Sequence, residues 1–242
     1  DAFDFVEGLV ICAGPEIELF NAISLYGSLA QTWPAQAWTT NQVLAVLPEH
    51  WRTYGLPDYA QFDNDTRFQG SHTAPGRLGR VVHLCLCLGV VPVFAPPRET
   101  GFQAKIESFN QLWQAKVWQR FRFQRQAEVR AQSRRFIAAH HQRHAARIES
   151  APGRHPYPPI APRKFRRGSV VFLRRTDDKG SLRLLENPVH VAKHWPHRLV
   201  RCELNVLTHE LKIYALRRRQ PDCQPLLATR RLKVIITPWY HR

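Results

Sequence analysis

Three isolated carboxylates are the residues of this chain whose types and settings could do chemistry. Asp4 lies between two phenylalanines, Asp63 directly follows an apolar run, and Glu107 comes early in a segment with strong helical character. The first two acids are separated by 58 residues and the last two by 43. Oxygen ligands held on separate rigid elements suit a hard divalent cation such as Mg²⁺. Because two such ions can stabilise the attacking and leaving oxygens of a phosphoryl displacement, the three acids predict a metal site for phosphoryl transfer.

Two neighbouring acids are alternatives for these roles. Glu7 competes with Asp4, but side chains alternate between the faces of a strand, so Glu7 would face the opposite way. Asp65 competes with Asp63 but lacks the placement at a strand end. Each acid taken alone could also be a surface or capping carboxylate. The assignment therefore depends on the three acids acting together.

Each acid lies in a short motif with distinctive flanks. The motifs are residues 3–7 (Phe-Asp-Phe-Val-Glu), residues 62–68 (Phe-Asp-Asn-Asp-Thr-Arg-Phe) and residues 104–110 (Ala-Lys-Ile-Glu-Ser-Phe-Asn), with Gly-Leu-Pro at 55–57 before the second acid and Gly-Val-Val-Pro-Val-Phe-Ala-Pro-Pro at 89–97 before the third. In this order they resemble the Asp-Asp-Glu (DDE) triad of integrase-type transposases, which are insertion-sequence enzymes related to retroviral integrases. The similarity covers most of residues 1–113 and continues more weakly into the C-terminal part.

The resemblance implies a ribonuclease-H-like α/β fold with the acids gathered at one end of a mixed sheet. It implies that Asp4 is shared by two Mg²⁺ or Mn²⁺ ions, that Asp63 and Glu107 complete one site each, and that no small-molecule cofactor takes part. The implied reaction is DNA strand cleavage and strand transfer, with transposon ends and target DNA as partners. A homo-oligomer is implied because two element ends are joined. Family members carry an upstream helix-turn-helix region, so we expect this chain to be truncated before Asp1.

The charge is distributed unevenly along the chain. Residues 1–110 carry 6 Lys and Arg against 11 Asp and Glu, whereas residues 111–242 carry 29 against 8. A second half with a net charge of +21 indicates a polyanionic partner, and nucleic acid is the natural candidate. A protein that only coats RNA is the simpler alternative, but the acidic first half argues against it.

Two basic clusters are the candidates for contacts with DNA phosphates, which give affinity without sequence information. One follows an apolar helical stripe that ends near Phe121, and the other flanks a proline-rich run and a C-terminal strand. The alternative for the first cluster is a solvated helix, and a zinc site at His140 and His144 is a weaker one, since no further ligands support it. The predicted DNA-binding residues are Arg120, Arg122, Arg125, Arg130, Arg134, Arg135, Arg143, Lys164, Arg166, Arg167, Arg217 and Arg218.

Apolar periodicity predicts the elements that position these residues. Strands are predicted at residues 3–12, 17–25, 28–33, 57–62 and 90–94, and helices at 39–54, 75–88 and 103–150. Five prolines between residues 152 and 162 predict a stiff linker. Short β-like runs at residues 169–175, 182–186, 199–204, 211–216 and 226–236 predict a small barrel that loosely resembles the SH3-like domain of related enzymes.

These elements predict three domains. Residues 1–121 would form the ribonuclease-H-like catalytic core, residues 122–167 a basic helix with the proline-rich linker, and residues 168–242 a small DNA-binding β-barrel. Five irregularly spaced cysteines suggest no disulfide framework and favour a reducing cytoplasm. The resemblance to insertion-sequence transposases implies a bacterial cytoplasm, with the protein associated with the nucleoid. No membrane span is expected, since the longest apolar run is interrupted and short.

Two other functions fit the same residues. A metal-dependent nuclease of the same fold would cleave DNA without joining it. A catalytically inactive DNA-binding protein descended from a transposase would keep the basic half, and its acids would have no role in catalysis. The pattern of three acids with a basic half favours the transposase.

Overall fold

The computed structural model of the chain describes residues 1–12, 14–99, 101–160, 162–217 and 219–240. Helices and strands both contribute, as the sequence predicts for an α/β protein. In chain order the elements are β1 (Ala2–Val10), β2 (Glu16–Ile23), β3 (Ala30–Ala35), α1 (Thr40–Tyr54), β4 (Tyr59–Phe62), α2 (Thr66–Gln69), β5 (Arg77–Leu78), α3 (Arg80–Leu88), β6 (Val91–Phe94), α4 (Ala104–Lys116), a 3-10 turn (Trp118–Arg120), α5 (Gln126–Arg143), α6 (Ala145–Glu149), β7 (Ser169–Arg175), β8 (Ser181–Leu184), β9 (Asn187–His190), β10 (Leu199–Asn205), β11 (Glu210–Ala215), β12 (Leu226–Arg231) and β13 (Ile235–Ile236).

The chain divides into two compact units. The first comprises Asp1–Gln42 and Thr100–Arg154, and the second comprises Val43–Glu99 and His155–Arg242. Each unit is therefore built from two separate stretches of sequence.

In the first unit, β1, β2 and β3 form an antiparallel meander. The β1–β2 register pairs Asp4 with Asn21 and shifts between Val6 and Leu9, around Gly8 with its positive φ of 77°. A bulge at a glycine is expected because glycine adopts positive φ without a steric penalty. Helices α4 and α5 pack on the sheet, and Trp113 and Val129 are fully buried in its core.

In the second unit, β4, β6 and β7 run parallel to one another. Strands β10, β11 and β12 extend this sheet in antiparallel fashion from β7. The rings of Phe94 and Phe172 stack at 5.2 Å where β6 meets β7, and Phe62 on β4 is fully buried beside them. Alternating burial along β10 and β11 agrees with the period of two in a sheet with one covered face.

The prediction of one continuous helix from residue 103 to 150 is wrong, because the structure divides this segment into separate helices. The chain leaves the helix after Lys116, makes a 3-10 turn, and is extended at Phe121. This path buries Phe123, whose carbonyl accepts a hydrogen bond from the Cys12 amide at 2.8 Å, and it leaves Phe121 45% exposed. Tertiary burial of one aromatic side chain therefore overrides a local helical period.

The predicted C-terminal strands are present, but they are arranged differently from the predicted barrel. Because β7 pairs with β6 at Val93–Val171 and Phe94–Phe172, the strands after it continue the sheet of the second unit. The β8–β9 hairpin forms a separate two-stranded sheet. The mixed α/β class is thus confirmed, and residues 168–242 do not form a sheet of their own.

No helix among the described residues is both long and apolar enough to cross a bilayer. All five cysteines are free thiols, and Cys85, Cys87 and Cys202 are buried. Burial raises the pKa of the Cys87 thiol to about 11 and that of the Cys202 thiol to about 12, which keeps both protonated and unreactive near neutral pH.

Candidate functional site

Asp4 is held by an amide network inside the first unit. The Asn110 side chain donates from Nδ2 to Asp4 Oδ2 at 2.8 Å, and Asn21 Nδ2 donates to Asn110 Oδ1 at 2.8 Å. Asn21 is fully buried and Asn110 nearly so, because the first lies opposite Asp4 in β2 and the second faces the sheet from α4. A hydrogen bond to a carboxylate is stronger than one between neutral groups, so this network fixes the orientation of the half-buried Asp4 carboxylate.

Glu107 lies in the first turn of α4, and its side chain is exposed. It precedes Asn110 by three residues, and side chains with this spacing are neighbours on a helix surface. The helix that carries Glu107 is therefore tied to the strand that carries Asp4 through Asn110. The structure brings these two predicted acids to the same part of the first unit.

Asp63 directly follows β4 in the second unit and is half-buried. Its Oδ1 atom accepts a hydrogen bond from the Asp65 amide at 3.0 Å, which forms a tight turn after the strand. The parallel pairing of β4 with β6 places this turn at the carboxyl ends of parallel strands, where open α/β sheets commonly bind their ligands.

Asp65, the alternative to Asp63, has a structural role. Its carboxylate caps α2 by accepting from the Arg67 amide at 2.6 Å and pairs with the Arg67 guanidinium at 2.6 Å. Burial opposes ionisation of this carboxyl, but the hydrogen bonds from Arg67 outweigh burial and lower its pKa. Since its oxygens are already engaged, Asp65 is a poorer candidate for a metal ligand than Asp63.

A buried arginine holds the residue that follows Asp63. Arg174 on β7 is only 7% exposed, and its guanidinium donates to Asn64 Oδ1 at 2.7 Å and to the Ala95 carbonyl at 3.2 Å. Asn64 Nδ2 in turn donates to the same carbonyl at 2.8 Å. Burial lowers the pKa of Arg174 to about 10, which leaves it charged near neutral pH. Its bonds therefore anchor the segment that carries Asp63 to the central strands of the second unit.

Asp4 and Glu107 belong to the first unit and Asp63 to the second. Within the described ranges, no group of three or more His, Cys, Asp and Glu side chains is arranged to hold a metal ion. The metal triad of Asp4, Asp63 and Glu107, with its two ions, stays a prediction.

The described members of the predicted DNA-binding set are all exposed. On α5, Arg134 and Arg135 are exposed outside the buried face formed by Val129, Ser133, Ile137 and His140, whereas Arg130 borders that face and its Nε atom lies 3.4 Å from the Pro34 carbonyl of β3. Arg125 pairs with Glu128, and Arg167 lies 3.4 Å from Asp58. Arg218 lies outside the described residues. An exposed basic surface is a requirement for phosphate contact, and the members with that exposure are Arg120, Arg122, Arg125, Arg130, Arg134, Arg135, Arg143, Lys164, Arg166, Arg167 and Arg217.

His140 and His144 serve the packing of α5 in the first unit. His140 is buried, and its Nε2 atom is 3.0 Å from the Ser28 carbonyl. The neighbouring His144 ring lies 4.2 Å away, centroid to centroid, and its Nδ1 atom is 2.9 Å from the His140 carbonyl. With both rings engaged by carbonyl groups, the structure gives the zinc alternative no support.

Sequence reasoning did not assign roles to Asn21, Asn110 and Arg174. A signal existed for the first of these, since an asparagine between Phe20 and Ala22 in a predicted strand needs a partner if it is buried. Arg174 has no comparable signal, because it is adjacent to Arg175 and its partners are far away in the sequence.

No protein-family model and no curated protein sequence matches this chain. Among solved structures, the chain is similar to one described as the cryoEM structure of simian T-cell lymphotropic virus intasome in complex with PP2A regulatory subunit B56 gamma. The identity is 10%, the match covers 98% of this chain and 78% of that chain, and the TM-score is 0.49. A likeness at this level assigns no activity to the chain, so its function has to be argued from its own residues.

Proposed function

We propose that this chain is a polynucleotidyl transferase of the integrase-type DDE class, which cleaves DNA strands and joins them to a target. The observation that carries the proposal is the bond from Asn110 to Asp4, which links the strand bearing one acid of the motif to the helix bearing Glu107. A strand carboxylate oriented by a helix whose exposed face holds a second carboxylate is suited to bind a cation next to a phosphate.

The donor set suits Mg²⁺ or Mn²⁺. Asp4, Asp63 and Glu107 supply only carboxylate oxygens, which hard cations prefer over nitrogen or sulfur. When bound, two such ions would stabilise the negative charge of the attacking and leaving oxygens. The chain itself would orient Asp4 through Asn110 and keep Asp65 occupied as a helix cap.

The exposed arginines of α5 and the residues after the proline-rich run would hold the DNA backbone. They would supply affinity that is independent of sequence and sensitive to salt. Transposon ends and target DNA are the proposed partners, and a homo-oligomer is proposed because two ends must be joined together. The proposed location is the bacterial nucleoid.

A strand-transfer assay with pre-cleaved element-end DNA and target plasmid tests the proposal. Asp4→Asn, Asp63→Asn and Glu107→Gln should each abolish joined products in Mg²⁺ and in Mn²⁺ while binding the DNA as wild type does. Glu7→Gln removes one exposed charge from the same strand as Asp4 and should stay active. Cleavage without joining would indicate the nuclease, and DNA binding without either reaction would indicate an inactive DNA-binding protein.

A further inference from the structure

A basic cleft lies in the second unit at the ends of β7, β10 and β11. Its volume is about 430 Å³, which is within the size range of ligand sites. Arg175 is the last residue of β7, Leu199 the first of β10, and Leu216 directly follows β11. The polar and aromatic side chains that line it include Arg175, Trp195, Arg198, Arg217 and Gln220.

Positive charge in this cleft exceeds negative charge. Glu99 neutralises Arg175 in a two-oxygen ion pair. Among the described residues, neither Arg198 nor Arg217 pairs with a carboxylate. The recorded contacts of Arg217 are with neutral groups, at 3.4 Å to Gln220 Oε1 and 3.3 Å to Cys223 Sγ. Two guanidinium groups without a counter-charge favour an anionic ligand.

Arg198 is oriented in advance of any ligand. Its guanidinium carbon lies 4.7 Å from the centre of the Trp195 ring, a cation–π geometry that reduces the freedom of a long side chain. The backbone beneath this pair is also fixed. Thr176 Oγ1 donates to the Trp195 carbonyl at 2.5 Å, and the Arg198 amide donates to Thr176 Oγ1 at 3.0 Å. A guanidinium held flat and in place loses less entropy on binding an anion.

We propose that this cleft binds a DNA backbone phosphate through Arg198 and Arg217, with Trp195 as the residue that positions Arg198. The planar guanidinium matches the oxygens of a phosphodiester in two-point contact. The high positive charge of residues 111–242 favours a polyanion over a small anion as the ligand. The inference rests on the proposed function and extends it, because it locates a DNA contact in the second unit outside helix α5.

Binding of the full chain to a fluorescent DNA duplex, measured by anisotropy in EDTA at several salt concentrations, tests the cleft. Arg198→Ala and Arg217→Ala should each weaken binding by about tenfold, as the loss of one charge-assisted contact predicts, and each should flatten the slope of log affinity against log salt by about one. Arg183→Ala is the matched control. It removes the same charge from an exposed side chain paired with Glu186 on the β8–β9 hairpin, and it should leave both quantities near wild type.

Three further variants distinguish a site of fixed geometry from general positive charge. Arg198→Lys keeps the charge but loses the fork and the stacked geometry, so it should bind several-fold more weakly than wild type with little change in salt slope. Trp195→Leu should behave similarly, and Trp195→Phe, which keeps an aromatic face, should restore most of the affinity. Thermal unfolding of each variant verifies that it is folded.

The inference is overturned if Arg198→Ala and Arg217→Ala bind as the Arg183 control does, or if Arg198→Lys and Trp195→Leu bind as wild type does. It is also overturned if inorganic pyrophosphate binds in this cleft at concentrations that do not displace the DNA. The ligand of the cleft would then be a small anion. No divalent metal is present in this experiment. If the protein binds DNA through Arg198 but has no strand-transfer activity, the proposed reaction is rejected and the DNA-binding role of the cleft is retained.

Discussion

Arg174 donates a 2.7 Å hydrogen bond to the side-chain oxygen of Asn64, the residue next to Asp63. The guanidinium is buried, lies 5.2 Å from the Phe172 ring centre, and is otherwise satisfied by the carbonyls of Leu173 and Ala95. Burying a charge without an opposite charge is costly unless its hydrogen bonds are made. The arrangement therefore couples β7 to the turn after β4.

Arg174→Met should destabilise the protein and disturb the Asp63 segment. Removing the donor takes away the bond to Asn64 Oδ1 and leaves the buried Ala95 carbonyl with its bond from Asn64 Nδ2 alone, at a cost of about 1–3 kcal/mol in the free energy of unfolding. Urea denaturation measures this loss, and amide hydrogen exchange at residues 63–67 should increase. Arg183→Met, at an exposed position, should change neither. A stable Arg174→Met protein with unchanged exchange would show that the bond positions nothing.

Asn110→Ala should lower activity more than it lowers DNA binding. The variant removes the donor to Asp4 and the acceptor for Asn21, so Asp4 loses its fixed orientation. Loss of a group that orients a metal ligand commonly costs about 10- to 100-fold in metal affinity or activity. A titration of strand transfer with Mn²⁺ should show a higher metal requirement, which excess metal partly restores. Gln111→Ala, exposed on the same helix, is the control, and an equal effect there would contradict the role of Asn110.

Much of the secondary structure before residue 55 could be predicted from the sequence because its signals are local. The strand containing Asp4, its antiparallel partner and the helix ending at Tyr54 follow from apolar periodicity and turn residues. The interruption after Lys116 could not be predicted this way, since it depends on a cavity that Phe123 fills beside Val6 and Leu9. That cavity exists only once the sheet has formed.

The sequence indicates the candidate acids, whose joint role stays a prediction, but it does not indicate the side chains that hold them in place. A carboxylate at a strand end has a local signature, whereas Asn110 contacts Asp4 across 106 residues and Arg174 contacts Asn64 across 110. The pairing of β7 with β6 could not be predicted from the sequence either, because the sequence of a strand does not specify which strand it pairs with. Local patterns thus identify the groups that could react, and long-range packing decides what orients them.

Asp63→Asn and Asp65→Asn should have opposite effects on activity and stability. The Asp63 variant should lose strand transfer with a small change in unfolding free energy, because the amide oxygen can still accept from the Asp65 backbone. The Asp65 variant removes the charge that pairs with Arg67, while its amide oxygen can still cap α2. Loss of the charge should cost about 1 kcal/mol, and the variant should retain strand transfer. Paired activity and urea-unfolding measurements separate them. An active Asp63→Asn protein with an inactive, fully stable Asp65→Asn protein would reverse the assignment.

His140 should make the first unit less stable as the pH falls below about 6.5. Its pKa is lowered to about 4, chiefly by burial. The hydrogen bond to the Ser28 carbonyl raises the pKa, and the positive charges of His144, His141 and Lys105 lower it further. With the folded pKa below the unfolded value, the unfolded chain binds more protons between these two pH values, so stability is complete above pH 6.5 and declines toward pH 4. The expected loss between pH 7 and pH 5 is about 2 kcal/mol. In His140→Gln, the loss of stability between pH 7 and pH 5, measured by urea unfolding, should be smaller by that amount. His155→Gln changes an exposed histidine and should show the same loss as wild type. If His140→Gln also shows the full loss, another group causes it.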